Sequence, residues 1–322
     1  YYSMFGFQRI GDLLWAAGDM RCRGFVLGGT AGRTTLAGEG LQHQDGNSHL
    51  NALAYPNCRA YDPCYAYEMA VIVLDGLRRM FYEQEDCYYY ITLMNENYAM
   101  PILPMGSTEG IRRGIYKLST RDLGSKKPRV RLFGSGAILR ETLRAQDLLE
   151  QHFGVSSDVF SVTSYKELYY DGRDCERWNR LHPNESPHVP FVTQALQDSS
   201  GPVVAALDYV AAVGLSIAPW VKADVSARPL GDGADASAKA SPRPLGEGQG
   251  VRASSYAVLG ADGFGRSEAR KELRRFFEVD AENIALAALV ELSREGNYPT
   301  DKLCEAVRTL GLDPGKPNPV TV

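Results

Sequence analysis

The chain has 322 residues, 44% hydrophobic and 23% charged, proportions that allow a sizeable core and exclude global disorder. Thirty-five Lys and Arg against 39 Asp and Glu give a net charge of -4, so there is no basic field for a polynucleotide. The longest apolar runs, such as Val203 to Ala206 and Ala285 to Leu292, fall far short of the ~20 residues of a membrane-spanning helix. Neither nucleic acid nor membrane is an expected partner.

In chain order, Gln8 to Met20 reads as a helix and Gly24 to Gly28 as a strand, with a glycine-rich loop running on to Gly46. From Ala66 to Phe81, apolar Ala66, Met69, Ala70, Val73, Leu77 and Met80 recur at spacings of three and four, which predicts a helix with one buried face. Tyr88 to Met94, rich in aromatic and branched residues, reads as a strand. After the proline-bearing stretch Asn95 to Gly106, Arg129 to Gly134 reads as a strand, Ala137 to Phe153 as a helix and Asp158 to Thr163 as a strand, one β-α-β unit. A second α/β domain is therefore expected to begin between residues 105 and 128.

Further strands are expected at Val203 to Leu207 and Tyr256 to Gly260, and helices at Ser267 to Phe277, Ala281 to Arg294 and Asp301 to Leu310. Ser267, Asp280 and Thr300 stand where N-caps belong, and Gly296 and Gly311 where helices stop. The segment 221–254 lacks aromatic residues and hydrophobic period, and repeats Ser226-Ala-Arg-Pro-Leu-Gly as Ser241-Pro-Arg-Pro-Leu-Gly. It reads as a disordered surface insertion. Its Gly231-Asp-Gly233 matches the start of a diphosphate and magnesium motif only by coincidence, since no Asn follows before Asn283.

Six cysteines without C-x-x-C spacing read as reduced, mostly buried thiols of a cytosolic protein. The loop Gly28 to His49 gathers Arg33, Glu39, His43, Asp45 and His49 after a strand end, where parallel sheets place ligands. The alternative is a loop that only turns over the sheet edge. The spacing of His43 and His49 matches no common metal-ligand motif, and no metal site is assigned to them. Four aromatics between Tyr1 and Phe7 read, on composition, as a core strand entering the first helix, and Gly260 to Gly265 as a structural turn.

Long runs of the sequence resemble a known family: Tyr1-Tyr-Ser-Met-Phe-Gly-Phe-Gln-Arg, Gly28-Gly-Thr-Ala-Gly-Arg-Thr-Thr-Leu through His43, Tyr88-Tyr-Tyr-Ile-Thr, Asp174-Cys-Glu-Arg-Trp-Asn and Leu259-Gly-Ala-Asp-Gly-Phe-Gly-Arg-Ser. They are similar to the homodimeric bacterial pyruvate dehydrogenase component, which depends on thiamine diphosphate. The resemblance implies an α/β fold in two parts: residues 1–104 as the later part of a pyrimidine-binding middle domain, and 105–322 as a transketolase-like C-terminal domain interrupted at 221–254. It also implies that the glutamate that activates the cofactor and the Mg2+ ligands precede Tyr1.

Three positions match the family's site pattern. Phe5 resembles the aromatic that stacks on the aminopyrimidine, Tyr2 the tyrosine beside that ring and the substrate, and His43 the middle-domain histidine facing the reacting pyruvate. Asp45 and His49 are expected only to support His43. The resemblance implies a cytoplasmic homodimer that decarboxylates pyruvate and reductively acetylates the lipoyl domain of the dihydrolipoyl acetyltransferase, with this chain inactive by itself. A transketolase-type transfer, or a non-catalytic dimerisation unit, are the alternatives.

Overall fold

The computed structural model describes residues 1–221 and 255–322. The expected insertion lies outside the described residues except for Val221, which is buried at the end of a short helix and so belongs to the core. Among the described residues, no helix is long and apolar enough to cross a membrane.

A 3-10 turn, Ser3–Phe5, leads into α1 (Phe7–Asp19), then β1 (Phe25–Gly28), α2 (Ser48–Ala52), β2 (Cys58–Tyr61), α3 (Ala66–Leu77) and β3 (Tyr88–Thr92). The first residues are thus not the core strand that composition suggested. Only one bridge, Tyr2 to Gly29, pairs them with the sheet, and the rings of Tyr1 and Tyr2 remain exposed. α3 is a helix as expected, but its buried face is not the expected one: Glu68, Ile72, Asp75 and Gly76 are buried, Met69 and Val73 only partly, and Ala66, Ala70 and Leu77 are exposed. The reason is that the Glu68 carboxylate is drawn inward by its hydrogen bonds. The helix continues to Tyr82 as a π-helical turn that buries Met80. The Glu68 carboxylate closes its first turn by accepting the N–H groups of Cys64 and Tyr65.

The three strands are parallel, with β3 in the middle. Strand alternation sends Tyr88 and Tyr90 to one face, against Phe7, Leu14 and Ala60. Tyr89 and Ile91 face the other side, with Ile72 and Met80. That second cluster also takes in Ile111 and Tyr116, so the core crosses into the next part of the chain.

After 95–106, which holds no helix or strand, come α4 (Thr108–Arg113), β4 (Ile115–Arg121), β5 (Arg129–Gly134), α5 (Ile138–Leu148), β6 (Ser156–Val162), α6 (Tyr165–Leu181), α7 (Phe191–Ala195), β7 (Val203–Ala206), α8 (Ala211–Leu215) and α9 (Ala218–Val221). Beyond the undescribed residues lie β8 (Tyr256–Leu259), α10 (Arg270–Phe276), α11 (Ala281–Arg294) and α12 (Leu303–Thr309). The sheet order is β4-β6-β5-β7-β8, parallel except for the edge strand β4. Every residue of β6 and β7 is buried, as a sheet covered on both faces requires. One face packs Leu132, Val159 and Val204 on α5 and α11, and the other packs Phe133, Phe160 and Val203 on α6 and Trp220.

The cap chemistry holds in part. Asp280 accepts the Asn283 N–H at the start of α11, and Gly296 and Gly311 take left-handed φ of 80° and 61° where helices stop. Ser267 is not a cap: the Arg266 N–H is bound by Gln44 and the Glu268 carbonyl accepts the Gly38 N–H, so this stretch stays extended and α10 begins at Arg270. The Thr300 hydroxyl pairs with Ser293 at 2.8 Å instead of capping, and a 3-10 turn precedes α12.

Candidate active site

Tyr2, Phe5 and His43 come from two separate 3-10 turns, Ser3–Phe5 and Leu41–His43, that meet beyond the end of β1. The N–H of Ser3 donates to the Gly29 carbonyl and the N–H of Gly29 to the Tyr1 carbonyl, which fixes the first turn on the strand end. Ring centroids are 5.9 Å apart for Tyr2 and Phe5, 5.4 Å for Tyr2 and His43, and 5.4 Å for Phe5 and His43. Phe5 and His43 meet edge to face at 87°. All three rings are half-buried or partly open to solvent, so they present an aromatic wall at the surface. The Arg9 guanidinium lies 5.5 Å from the Phe5 ring centre.

Close to the first turn, Ser3 Oγ is enclosed without a hydrogen-bond partner, and a Cβ added at Gly28 would come within 2.7 Å of the buried Tyr90 phenol oxygen, whose ring packs on Phe7 and His49. Burial, aided by the Asp45 charge, holds the Tyr90 phenol well above its ordinary value.

The expectation that Asp45 and His49 support His43 is not what the geometry gives. Asp45 turns away to accept the N–H groups of Asn47 and Ser48, opening α2. His49 is buried with Nε2 3.0 Å from Thr92 Oγ1 and its ring 4.6 Å from that of Tyr209. Burial first, and then the Lys166 charge, lower its pKa to about 3, so it is neutral at physiological pH. The partner of His43 is Glu39, whose carboxylate lies 3.3 Å from Nδ1.

A second buried chain runs from His49 through Thr92 to Asp62, whose Oδ1 accepts the Thr92 hydroxyl at 2.6 Å and the Tyr209 phenol at 3.3 Å. Burial, with a contribution from Asp208, pushes the Asp62 carboxyl up to about 7. Asp208 accepts the Thr34 N–H and the Thr35 hydroxyl, and the Arg33 side chain donates to the carbonyls of Ala261 and Gly263. The Gly260 to Gly265 turn is thus structural. Neither Asp62 nor Asp208 belongs to any motif, and their partners are distant in sequence.

Four of the cysteines are buried, and Cys22 and Cys304 are exposed. Among the described residues, no group of three His, Cys, Asp or Glu stands together as a metal site.

The two sheets, with the helices that cover them, define a transketolase-like α/β protein. Residues 1–101 match the family model of the pyruvate dehydrogenase E1 component middle domain, and residues 114–238 that of the transketolase-like C-terminal domain. The chain belongs to the pyruvate dehydrogenase E1 family. It is 50% identical over 322 residues to the pyruvate dehydrogenase E1 component of Cupriavidus necator, covering 100% of this chain and 32% of that protein. Against the Escherichia coli K12 protein of the same name it is 50% identical over 320 residues, covering 99% of this chain and 32% of the relative. The chain therefore spans about a third of the length of the curated relatives it matches.

Among solved structures, a Pichia stipitis transketolase complexed with sedoheptulose 7-phosphate superposes with a TM-score of 0.59 at 15% identity, over 92% of this chain and 34% of that one. A split-gene transketolase described as an inactive beta4 tetramer superposes with a TM-score of 0.54 at 13% identity, over 91% of this chain and 75% of that one. These likenesses concern the fold.

Proposed function

We propose that the chain is part of a pyruvate dehydrogenase component that decarboxylates pyruvate on thiamine diphosphate and passes the acetyl group to a lipoyl domain of the dihydrolipoyl acetyltransferase. The observation that carries this reading is the convergence of Tyr2, Phe5 and His43 into one wall, ring to ring within 5.9 Å. Three partly open rings, two of them carrying polar atoms in the Tyr2 phenol and the His43 imidazole, fit a flat heteroaromatic ring with polar edges. The residues fit the aminopyrimidine end of the cofactor. The Mg2+ and diphosphate ligands and the activating glutamate are assigned to other parts of the whole protein.

When bound, thiamine diphosphate supplies a carbon nucleophile for the pyruvate carbonyl and takes up the electrons released by decarboxylation. The chain's own residues do the rest of the local work. Phe5 offers a ring face and orients the aminopyrimidine, which is an entropic contribution. The Tyr2 phenol donates a hydrogen bond on the pyrimidine or carboxylate side. Glu39 turns the His43 ring through Nδ1, leaving Nε2 to orient the carboxylate or hold a proton near the reacting centre.

In this reading residues 1–104 complete a middle domain and 105–322 form a C-terminal domain, within a cytoplasmic homodimer. The chain by itself is inactive because the diphosphate grip lies elsewhere. Titration calorimetry of the isolated chain with thiamine diphosphate and Mg2+ tests this, the expected result being no binding at micromolar concentrations and no turnover of pyruvate. Micromolar binding would place the cofactor grip within these residues and overturn the assignment.

A further inference from the structure

The loop from Gly29 to Asn47 contains no strand and only one 3-10 turn, yet it must hold His43 still. Its rigidity comes from the second sheet. Asp208 follows β7 by two residues and is fully buried, with neighbours Leu207 and Tyr209 equally enclosed. Its Oδ1 accepts the Thr34 N–H at 2.7 Å, its Oδ2 accepts the Thr35 hydroxyl at 2.6 Å, and its carbonyl accepts the Arg33 N–H at 3.2 Å. Two residues on, the Val210 N–H donates to the Gly46 carbonyl at 2.9 Å. One strand end therefore grips the loop on both sides of His43.

The fit is close. A Cβ at Gly32, whose φ is +90°, would stand 2.2 Å from Asp208 Oδ2, so only glycine lets the backbone come this near. Thr34 and Thr35 are themselves fully buried, which makes an unsatisfied donor there costly.

We infer that Asp208 is a positioning residue of the site, acting through the Thr34 and Thr35 hydrogen bonds to hold the loop that presents His43. Its effect on turnover rests on the reading of His43 given above, whereas its hold on the loop does not. The hydrogen bonds of Asp208 go to Arg33, Thr34 and Thr35 and not to Tyr2 or His43, and its carboxylate works as a two-pronged acceptor at the sheet end.

The test uses the intact 322-residue chain. Hydrogen-deuterium exchange is followed by mass spectrometry in Asp208→Ala, Asp208→Asn and Thr35→Val, together with the imidazole NMR signal of His43, assigned by its loss in His43→Gln. In Asp208→Ala, exchange over residues 33–45 should rise about tenfold or more, the scale of a lost charged hydrogen bond. The His43 signal should shift while those of His152, His182 and His188 stay, and exchange in β5 and β6 should not change. Asp208→Asn keeps one carbonyl acceptor for the Thr34 N–H and should restore most of the protection. Thr35→Val removes a single hydroxyl and should give a smaller rise in the same peptides, which keeps the test valid should Asp208→Ala fail to fold. Unchanged loop exchange and an unmoved His43 signal in a folded variant would overturn the proposal. Normal pyruvate turnover of His43→Ala in the full-length enzyme would instead overturn the role of His43 and leave the loop result standing.

Discussion

Nδ1 of His43 lies 3.3 Å from the Glu39 carboxylate, four residues back in the same loop, and both side chains are partly open to solvent. A polar contact this exposed contributes about 1 kcal/mol at most. Glu39→Gln in the full-length enzyme should therefore lower kcat for pyruvate by no more than about fivefold, as tilted or looser ring placement would. A loss as large as that of His43→Ala would show that Glu39 itself contacts the substrate.

Asp62 gives a pH dependence with a defined sign. Burial raises its carboxyl from the ordinary 3.8 to about 7, so between these values the folded chain binds more protons than the unfolded one. The stabilising contribution is whole below about pH 4 and is lost as the pH climbs through about 7. Asp62→Asn mimics the protonated form and lacks this slope. In urea titrations from pH 4 to 8, its stability should improve relative to the unsubstituted chain up to about pH 7 and then level off. A difference independent of pH would contradict the assignment.

Glu68 ties the two sheets together. Its Oε2 accepts the N–H groups of Cys64 and Tyr65, and its Oε1 accepts the hydroxyls of Tyr116 and Ser161 at 2.7 and 2.6 Å. Glu68→Ala strands four buried donors and should cost about 3 kcal/mol or more in denaturant titration. Glu68→Gln keeps an oxygen for the two N–H groups, while both hydroxyls can rotate to accept from its amide. It should cost under about 1 kcal/mol, and an equal loss from both variants would rule out this account of the network.

Removal of 222–254 with Val221 retained should leave the melting temperature nearly unchanged, because that sequence carries no aromatic residue or hydrophobic period and loop closure costs little. The deletion must spare Val221, which is 3% exposed in the core beside Trp220. A large drop in differential scanning calorimetry would show that the segment packs on the fold.

Legibility in the sequence followed the strength of the local pattern. α11 was readable because its buried apolar residues recur at one helical period, and β3 because it is a short run of aromatic and branched residues that is buried throughout. α3 was readable as a helix, although the face it buries, with Glu68, Ile72 and Asp75, is not the one its apolar spacing indicated. α6 was missed, since its buried positions are Tyr165, Lys166, Leu168, Gly172 and Cys175, which carry little hydrophobic signal in a helix that is otherwise polar. Lys166 is buried there because its ammonium donates to the Ala52 and Tyr55 carbonyls, a contact invisible to periodicity. β4 is an exposed antiparallel edge and β2 only four residues long, so neither shows an alternating or continuous apolar run.

For the site, the resemblance named Tyr2, Phe5 and His43, while composition alone misread the first two as strand residues. No local signal could reveal Asp62 or Asp208, because their partners lie up to 174 residues away in sequence.

The most direct measurement is turnover and cofactor affinity of two variants in the full-length enzyme. If His43 acts on the substrate side, His43→Ala should lower kcat for pyruvate about a hundredfold, equivalent to ~2.7 kcal/mol, with the thiamine diphosphate Kd almost unchanged. Phe5→Ala should instead weaken cofactor binding, since a stacking face is lost. Near-normal turnover by His43→Ala would contradict the account and return His43 to an ordinary loop residue.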